Sequence, residues 1–413
     1  MIGELEHKEV ELKSSLPTRI AEVLKAKRLV LFKTLLEEAN HPDDLVTDLC
    51  KGFDLTGRLP ESGVFKQKFR PASISKSSLR EFAKVARSFF LISCKSAGDD
   101  EMDKALYDAT VKEVRKGFIE GPVSFCDVLE ATSLTKRFPV RQKNKIRPID
   151  EYRASMVNSA VTQPEAVSIH TIDHISAMVS YWLKALHGRD QSVQLVSKCW
   201  DLADAYKQVP ISEESFEYEA FLVVYNPATQ RPEIYKQRVL PFGSIASVTS
   251  FLRCALGLWT IGTRLLDLVW SAYFDDFLCV TSEALSKHTD LCVSVLFQAL
   301  GWEISDHKLV PFSTCCRVLG VVLDLGDTKL WQEFVQNTED RRKELLDELD
   351  AVIATKLLKK HPAERLRGRL QFASRQMFGR RMNRCLRALT SHIMSGRSSL
   401  SLSLNPQRRS WKR

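Results

Sequence analysis

The segment SAYFDDFLCV, residues 271–280, places two adjacent carboxylates, Asp275 and Asp276, between short apolar runs. Adjacent carboxylates repel each other, and burying them is costly unless a positive charge lies beside them. A bound metal ion would remove the repulsion. The alternative is that both residues form the exposed turn of a β-hairpin, because Asp is common at turns and both flanks are strand-like. A third carboxylate elsewhere in the chain would favour the metal.

The segment VQLVSKCWDLADAYKQVPI, residues 193–211, supplies that carboxylate. An apolar strand is predicted to end at Asp201, and Asp204 follows as the chain turns. Taken alone, Asp201 could cap a helix and Asp204 could be a surface residue. Carboxylates from separate segments hold the two metal ions of polymerases, and oxygen ligands suit Mg²⁺. We therefore predict two Mg²⁺ ions, replaceable by Mn²⁺, with Asp201 and Asp275 as bridging ligands and Asp276 as a further ligand.

Composition narrows the class of protein. The chain has 413 residues, 44% of them hydrophobic, which is enough for a large globular core. No apolar run is long enough to span a membrane, and the charged start MIGELEHKEVELK is unlike a secretory signal, so we expect an intracellular protein. Its ten cysteines contain no C-x-x-C pair, which favours reduced thiols over zinc ligands or disulfides.

The positive charge is concentrated near the C-terminus. Residues 341–413 hold 19 Lys or Arg and 5 Asp or Glu, a net of +14 that leaves −5 for the rest of a chain with total charge +9. Such asymmetry indicates a polyanionic partner, with nucleic acid ahead of membrane. Three arginines recur at helical spacing opposite an apolar face, and we predict phosphate contacts for them: Arg380, Arg384 and Arg387. The alternative is a solvated helix surface.

The predicted secondary structure changes twice along the chain. Residues 1–115 read as a helical extension, strand-like runs begin at about 134, and helices return from about 340 with Pro362 opening the second of them. The last residues, 395–413, have no periodic apolar pattern and are predicted to form a disordered basic tail. The predicted divisions are therefore 1–115, 116–335, 336–394 and 395–413.

Several segments, in order, resemble the motifs of the reverse transcriptases. WDLADAYKQVPI is similar to their first palm motif, LPFGSIASVTSF (240–251) to the second, YFDD to the third and GWEISDHK (301–308) to the fourth. RVLGVVLDL (317–325) resembles the primer grip, which implies that role for Leu319 and Gly320. RFPVRQKNKIRPIDEYRASMVN (137–158) resembles the fingers segment around the triphosphate. KEVRKGFIEGP and KIRPIDEYRASMVN are also similar to retroelements of the tyrosine-recombinase (DIRS-like) type.

The resemblance implies a role for individual residues. It makes Asp201, Asp275 and Asp276 the catalytic carboxylates, and Tyr206 the aromatic gate against a 2′-hydroxyl. It also implies an α+β right-hand polymerase fold, in which 116–335 form fingers and palm and 336–394 form a basic thumb. The nucleotide-binding residues that it implies, some with charge-assisted bonds to phosphate, are Lys143, Lys145, Arg147, Asp204, Ala205, Tyr206, Phe242, Gly243 and Lys308.

Three functions remain open from the sequence. The resemblance implies an RNA-directed DNA polymerase that extends a primer on an RNA or DNA template with dNTPs. An RNA-dependent RNA polymerase shares the paired aspartates, although Tyr206 argues against it, and a catalytically retired scaffold that binds nucleic acid is the third. No second acidic cluster in a strand context follows residue 340, so we expect ribonuclease H or recombinase activity on a separate chain, or a truncated copy. Nucleus and cytoplasm are not distinguished, and no membrane partner is expected.

Overall fold

The computed structural model describes residues 2–142, 145–189, 192–305, 310–374 and 383–395. The chain divides into two compact units. The first comprises Met1–Ile169, Trp200–Phe277 and Lys287–Leu309, and the second comprises His170–Cys199, Leu278–Ser286 and Val310–Arg413. The N-terminal 115 residues therefore belong to the same compact unit as Asp201 and Asp275.

Helices occur along the whole described chain. In order they are α1 (Ile2–Ser15), α2 (Thr18–Val23), α3 (Leu29–Glu38), α4 (Leu45–Lys51), α5 (Lys76–Ser93), α6 (Asp100–Arg115), α7 (Ile172–His187), α8 (Glu213–Tyr218), α9 (Ile245–Leu265), α10 (Ser286–Leu300), α11 (Glu339–Thr355), α12 (Lys360–Ala373) and α13 (Asn383–Ser395).

The strands are β1 (Gly57–Arg58), β2 (Lys66–Arg70), β3 (Ile119–Val123), β4 (Leu134–Gln142), β5 (Lys145–Asp150), β6 (Val161–Ala166), β7 (Leu195–Asp201), β8 (Phe221–Asn226), β9 (Arg231–Gln237), β10 (Trp270–Tyr273), β11 (Asp276–Ser282), β12 (Cys315–Val318), β13 (Val321–Asp324) and β14 (Phe334–Asn337). They form sheets with the orders β1-β6-β2, β10-β11-β7, β12-β13-β14 and β3-β9-β8-β4-β5. This mixture of helices and largely antiparallel sheets confirms the predicted α+β class.

The sheet β3-β9-β8-β4-β5 is covered by helices on both faces. Successive side chains of a strand point to opposite faces. Phe221 and Val223 pack in a cluster with Phe90 of α5, whereas Leu222 and Val224 pack in a cluster with Leu106 of α6. Because both faces of β8 are buried, its sequence FLVVYN is a continuous apolar run rather than an alternating one.

Helix α9 directly follows the segment LPFG, residues 240–243. It begins at Ser244, whose hydroxyl accepts a hydrogen bond from the Ser247 amide at 3.3 Å. Its length and mean hydropathy would suit a membrane span, but 78% of its apolar window is buried inside the protein, as in a core helix. The Arg253 side chain is buried within it and is paired with Asp43 at 2.6 Å and Asp48 at 2.7 Å.

The helical pattern TRIAEVLKAKRLVLFKTLLEEA is interrupted between α2 and α3. The Arg28 amide donates to the Leu300 carbonyl at 3.3 Å, and the Lys27 ammonium donates to the Gly301 carbonyl at 2.8 Å. A Cβ at Gly301 would lie only 1.8 Å from the Ala26 carbonyl oxygen. The helix is interrupted because polar groups of Lys27 and Arg28 bond to the turn at residues 300–301. The periodicity of apolar residues does not reveal such a long-range contact.

Two strands also lie within the segment predicted to be helical. β1 pairs with β6 in parallel and β2 pairs with β6 in antiparallel fashion. Leu59, Val161 and Ala246 form a buried cluster, with Ile245 packed against it. The strand pair of the N-terminal segment therefore packs on the first turn of α9.

The second unit contains two apolar clusters. In one, α7 packs through Ile172, Ile175 and Val179 against strand residues that include Leu195 and Leu323. The other joins α11, α12 and α13, with Leu345, Leu358, Ala363, Leu366, Ala373 and Ile393 buried. In the described part of the chain the cysteines are free thiols, in agreement with the sequence prediction.

Candidate active site

The end of β7 lies beside the turn between β10 and β11. The Leu202 amide donates to the Asp275 carbonyl at 3.0 Å, which joins the two acidic segments through their main chains. The Ser305 hydroxyl donates to Asp201 Oδ2 at 2.7 Å, and the Ser305 amide donates to the Asp201 carbonyl at 2.8 Å. The fold thus brings together the carboxylates of Asp201 and Asp275, which are 74 positions apart in the sequence.

The turn that carries Asp275 has an unusual backbone. Phe274 has φ 54°, in the left-handed region. Two-residue hairpin turns that need a positive φ at their first central position normally have glycine there, and an aromatic residue is disfavoured. Such strain costs on the order of 1–3 kcal/mol and is characteristic of functional sites. The hairpin considered in the sequence analysis is therefore present, with Asp275 in its turn and Asp276 at the start of β11.

A cavity of about 460 Å³ lies between these segments. Asp201 and Asp275 both line it, together with the exposed ring of Phe242 and the side chain of Asp204. Asp276 is half-buried at the start of β11 and is not among the lining residues. The remaining charged and hydroxyl side chains of the wall are Lys112, Glu113, Lys116, Lys207 and Ser305.

The donor set of this cavity fits magnesium. Mg²⁺ is usually held by one or two carboxylates and by oxygens of a phosphate substrate and water, rather than by a complete protein cage. Asp201 and Asp275 provide two such carboxylates. Over the residues that the structure describes, no group of three His, Cys, Asp or Glu side chains is spaced to hold a metal ion. The phosphates of a substrate would therefore have to complete the coordination.

The Tyr206 ring forms part of an aromatic stack beside the carboxylates. It lies in the short 3₁₀ turn Ala205–Gln208, 4.6 Å from the Phe251 ring and 4.8 Å from the Phe242 ring. Only 7% of Tyr206 is exposed, whereas 51% of Phe242 is. Burial raises the pKa of Tyr206, and the nearby Asp275 carboxylate raises it further, so the hydroxyl stays protonated.

The loop at Gly243 requires glycine. Its φ is 92°, and a Cβ there would lie 2.4 Å from the Asp150 carbonyl oxygen. The Asn158 side chain holds the loop by donating to the Gly243 carbonyl at 2.9 Å and accepting from the Ile245 amide at 2.9 Å. These hydrogen bonds hold the backbone next to the exposed Phe242 ring.

Comparison with known proteins agrees with this arrangement. Residues 137–323 match the family described as reverse transcriptase (RNA-dependent DNA polymerase). The chain carries a reverse transcriptase domain. The matched segment contains Asp201, Tyr206, Phe242, Gly243, Asp275 and Asp276.

Solved structures show the same fold. The chain is similar to a foamy viral protease-reverse transcriptase in complex with double-stranded DNA, with a TM-score of 0.53 and 16% identity over 89% of this chain and 56% of that one. It is also similar to a foamy viral protease-reverse transcriptase in complex with an RNA/DNA hybrid, with a TM-score of 0.53 and 14% identity over 91% and 44%. The chain thus spans about half the length of these proteins. No curated protein matches it.

The cavity is lined by cations that the sequence analysis missed. Lys116 forms an ion pair with Asp204, whose backbone is left-handed with φ 47°. Lys207 is buried next to Tyr206, and its ammonium lies 3.7 Å from Glu113. Burial lowers the pKa of Lys207, although the Glu113 carboxylate opposes that shift. The sequence indicates the position of this cation only through Lys207 itself, in the stretch AYKQVPI.

The fingers and fourth-motif residues predicted to bind phosphate do not line this cavity, or they lie outside the described residues. Lys145 and Arg147 are exposed on β5, where Arg147 pairs with Val140 of β4, and neither lines the cavity. Lys143 and Lys308 lie outside the described residues. Phosphate contact by these four residues stays a prediction.

The predicted primer grip and thumb lie in the second unit. Leu319 and Gly320 form a two-residue turn between β12 and β13 with φ 48° and 73°, and the Gly320 carbonyl accepts a hydrogen bond from Arg341. Arg384 and Arg387 are exposed on α13, on which Ile393 is buried. Arg380 lies outside the described residues.

We expect the Gly243→Ala substitution to destabilise the reverse transcriptase domain strongly, because it adds a clash with the Asp150 carbonyl to the strain of a positive φ. Gly98→Ala is a matched control, since Gly98 has φ 79° but nothing within 4 Å of its Cβ position. The control should cost about 1–2 kcal/mol of unfolding free energy. Chemical denaturation measures both; equal losses would mean that the contact at Gly243 does not constrain the loop.

Proposed function

We propose that this protein is an RNA-directed DNA polymerase that extends a primer 3′-hydroxyl with dNTPs on a nucleic-acid template. The observation that carries the proposal is the convergence of Asp201 and Asp275 on one cavity, beside the stacked rings of Tyr206 and Phe242. The two foamy viral proteins, which are bound to double-stranded DNA and to an RNA/DNA hybrid, support nucleic acid as the partner.

The carboxylates hold the metal ions of the reaction. Asp201 and Asp275, with Asp276 as a further ligand, would hold two Mg²⁺ ions, or Mn²⁺, which activate the primer hydroxyl and neutralise the leaving pyrophosphate. Ser305 fixes the orientation of Asp201 through its 2.7 Å hydrogen bond. The main-chain bond between Leu202 and Asp275 holds the two ligands side by side before any substrate arrives.

The cations of the cavity bind the triphosphate. Lys112 and Lys116 are exposed at its wall, and charge-assisted bonds from ammonium to phosphate are among the strongest polar contacts. Lys116 is paired with Asp204 on the same wall of the cavity. An ammonium group has three N–H donors, so Lys116 can bind a phosphate oxygen while it keeps that partner. Lys145, Arg147 and the undescribed Lys143 and Lys308 remain proposed contacts from the family resemblance.

The base and sugar of the nucleotide lie against the aromatic stack. Phe242 presents a half-exposed ring on which a base can stack, with Gly243 allowing close approach of the backbone. Ala205 and Asp204 begin the turn that presents Tyr206. The ring of Tyr206 fills the space that a 2′-hydroxyl would need, which favours deoxynucleotides.

We expect Tyr206→Ala to raise the incorporation of ribonucleotides relative to deoxynucleotides by at least about tenfold, equivalent to about 1.4 kcal/mol of lost discrimination. The ratio is measured by single-nucleotide primer extension. Tyr206→Phe, which keeps the ring and its contacts with Phe251, is the matched control and should leave the ratio unchanged. An unchanged ratio for the alanine variant would rule out the gate role.

Primer extension on a defined RNA template tests the proposal directly. The assay compares dNTPs with NTPs in Mg²⁺ or Mn²⁺. Extension with dNTPs supports the DNA polymerase. Extension only with NTPs would identify an RNA-dependent RNA polymerase, and salt-dependent binding of primer and template without extension would identify a retired scaffold or a missing partner chain.

The remaining assignments are part of the proposal. Residues 116–335 form the fingers and palm, 336–394 a thumb whose arginines Arg380, Arg384 and Arg387 track the duplex backbone, and Leu319 with Gly320 the primer grip. We propose a retroelement origin, of the tyrosine-recombinase type, and ribonuclease H or recombinase activity on a separate chain. We also propose that the protein is intracellular, either nuclear or cytoplasmic, and that it does not bind a membrane.

A further inference from the structure

The most exposed strand of the first unit is also basic and aromatic. All five residues of β2, with the sequence KQKFR, are exposed, and 62% of Phe69 lies open to solvent. In the part of the chain that the structure describes, the side chains of Lys66, Lys68 and Arg70 have neither an ion pair nor a hydrogen-bond partner. The guanidinium of Arg58, on β1, lies 5.9 Å from the centre of the Phe69 ring. We call Arg58, Lys66, Lys68, Phe69 and Arg70 the β2 surface.

No carboxylate of the neighbouring strand neutralises the β2 surface. Glu165 of β6 lies opposite Gln67 in the sheet, but its side chain is only 4% exposed and is turned inward. Its two oxygens accept hydrogen bonds from the amides of Ser62 and Gly63 at 3.1 and 2.8 Å. Among the described residues, Glu61 is the acidic partner of this surface, through its 2.6 Å ion pair with Arg58.

The β2 surface is connected to the loop that carries Phe242. Asn158, which holds the Gly243 and Ile245 main chain, lies in the 3₁₀ turn that runs directly into β6, the partner strand of β2. The Ser159 carbonyl accepts hydrogen bonds from the amides of Ser73 and Ile74, just after β2. The loop that carries Phe242 and the residues that follow β2 are therefore both held by the turn at residues 158 and 159.

We propose that the β2 surface binds the unpaired template strand beyond the primer terminus. Cations that follow a phosphate backbone, together with exposed aromatic rings on which bases stack, are the recognition chemistry of single-stranded nucleic acid. Lysines on an edge strand also prevent edge-to-edge association of sheets, but that role does not call for an exposed Phe. The inference rests on the proposed polymerase function, because only a template-directed polymerase has an unpaired template strand beyond a primer terminus.

The test measures binding without nucleotide or catalytic metal. Two primer–templates share the same duplex, and only one has a ten-nucleotide 5′ template overhang. The native protein should bind the overhang substrate more tightly. The triple substitution Lys66→Gln, Lys68→Gln, Arg70→Gln should abolish that preference and lower the salt slope for the overhang substrate by about 2, at about 0.7 per phosphate contact. Phe69→Ala should weaken overhang binding by at least about fivefold.

Matched controls separate this site from general charge effects. The triple substitution Lys8→Gln, Lys33→Gln, Lys51→Gln removes equal charge from exposed helical positions of the same unit, and Phe89→Ala removes a ring that is 66% exposed on α5. Both should keep the overhang preference.

The inference is overturned if the β2 variants also keep the overhang preference. It is overturned as well if their only change is self-association in size-exclusion chromatography, which would establish the edge-protection role. Native protein that extends primers but ignores the overhang would refute the inference alone, whereas native protein that neither extends nor binds them would refute the polymerase function as well.

Discussion

Asp275→Asn is expected to lower the rate of primer extension by at least about a thousandfold. The substitution removes the charge of a proposed metal ligand from the cavity while preserving side-chain shape. Metal stabilisation of the transition state is worth several kcal/mol, and each factor of ten in rate corresponds to about 1.4 kcal/mol. Binding of a primer–template duplex should change little. Single-turnover extension and fluorescence anisotropy measure the two quantities.

Asp267→Asn is the matched control for that experiment. Asp267 is an exposed carboxylate in the turn before β10, with φ 50°, and it does not line the cavity. Asn tolerates the same left-handed backbone, so this variant should keep full activity. If the native protein and the control extend primers and the Asp275 variant does so at the same rate, Asp275 does not belong to the catalytic site.

Arg137→Met is expected to destabilise the protein by about 3–5 kcal/mol, the usual cost of removing one partner of a buried ion pair. Arg137 is 3% exposed and is paired with Asp150 at 2.7 Å and with Glu113 at 2.9 Å. Burial lowers the pKa of Arg137, but the Asp150 and Glu113 carboxylates outweigh that effect and raise it above its ordinary value. The substitution would leave both carboxylates without their main cation.

Arg141→Met provides the comparison from the same strand. Arg141 is exposed and is paired with Asp99 at 3.3 Å and with Glu101 at 2.8 Å. Surface pairs of this kind contribute about 0–1 kcal/mol. In urea denaturation, the Arg137 variant should therefore lose much more unfolding free energy than the Arg141 variant. Similar losses at the two positions would show that the buried cluster around Arg137 does not stabilise the fold beneath the cavity.

Local sequence was sufficient to predict the elements that carry the proposed catalytic residues. The strand that ends at Asp201, the hairpin around Asp275 and helix α9 all follow from short apolar patterns with polar ends. The predicted start of the second C-terminal helix at Pro362 also agrees with α12 to within about two residues. Caps and periodicity involve residues a few positions apart, so they are visible in the sequence.

The sequence by itself determined the order of the motifs, the α+β class and the identity of the carboxylates, because each depends on neighbouring residues. Only the tertiary structure decided which cations face the cavity, since Lys116 and Lys207 reach it through contacts with Asp204 and Glu113 that are 88 and 94 positions away. It also decided that residues 57–70 form strands, because their hydrogen-bond partners lie in β6, about a hundred positions later. Pairing over such distances depends on the packed fold as a whole and leaves no local pattern in the chain.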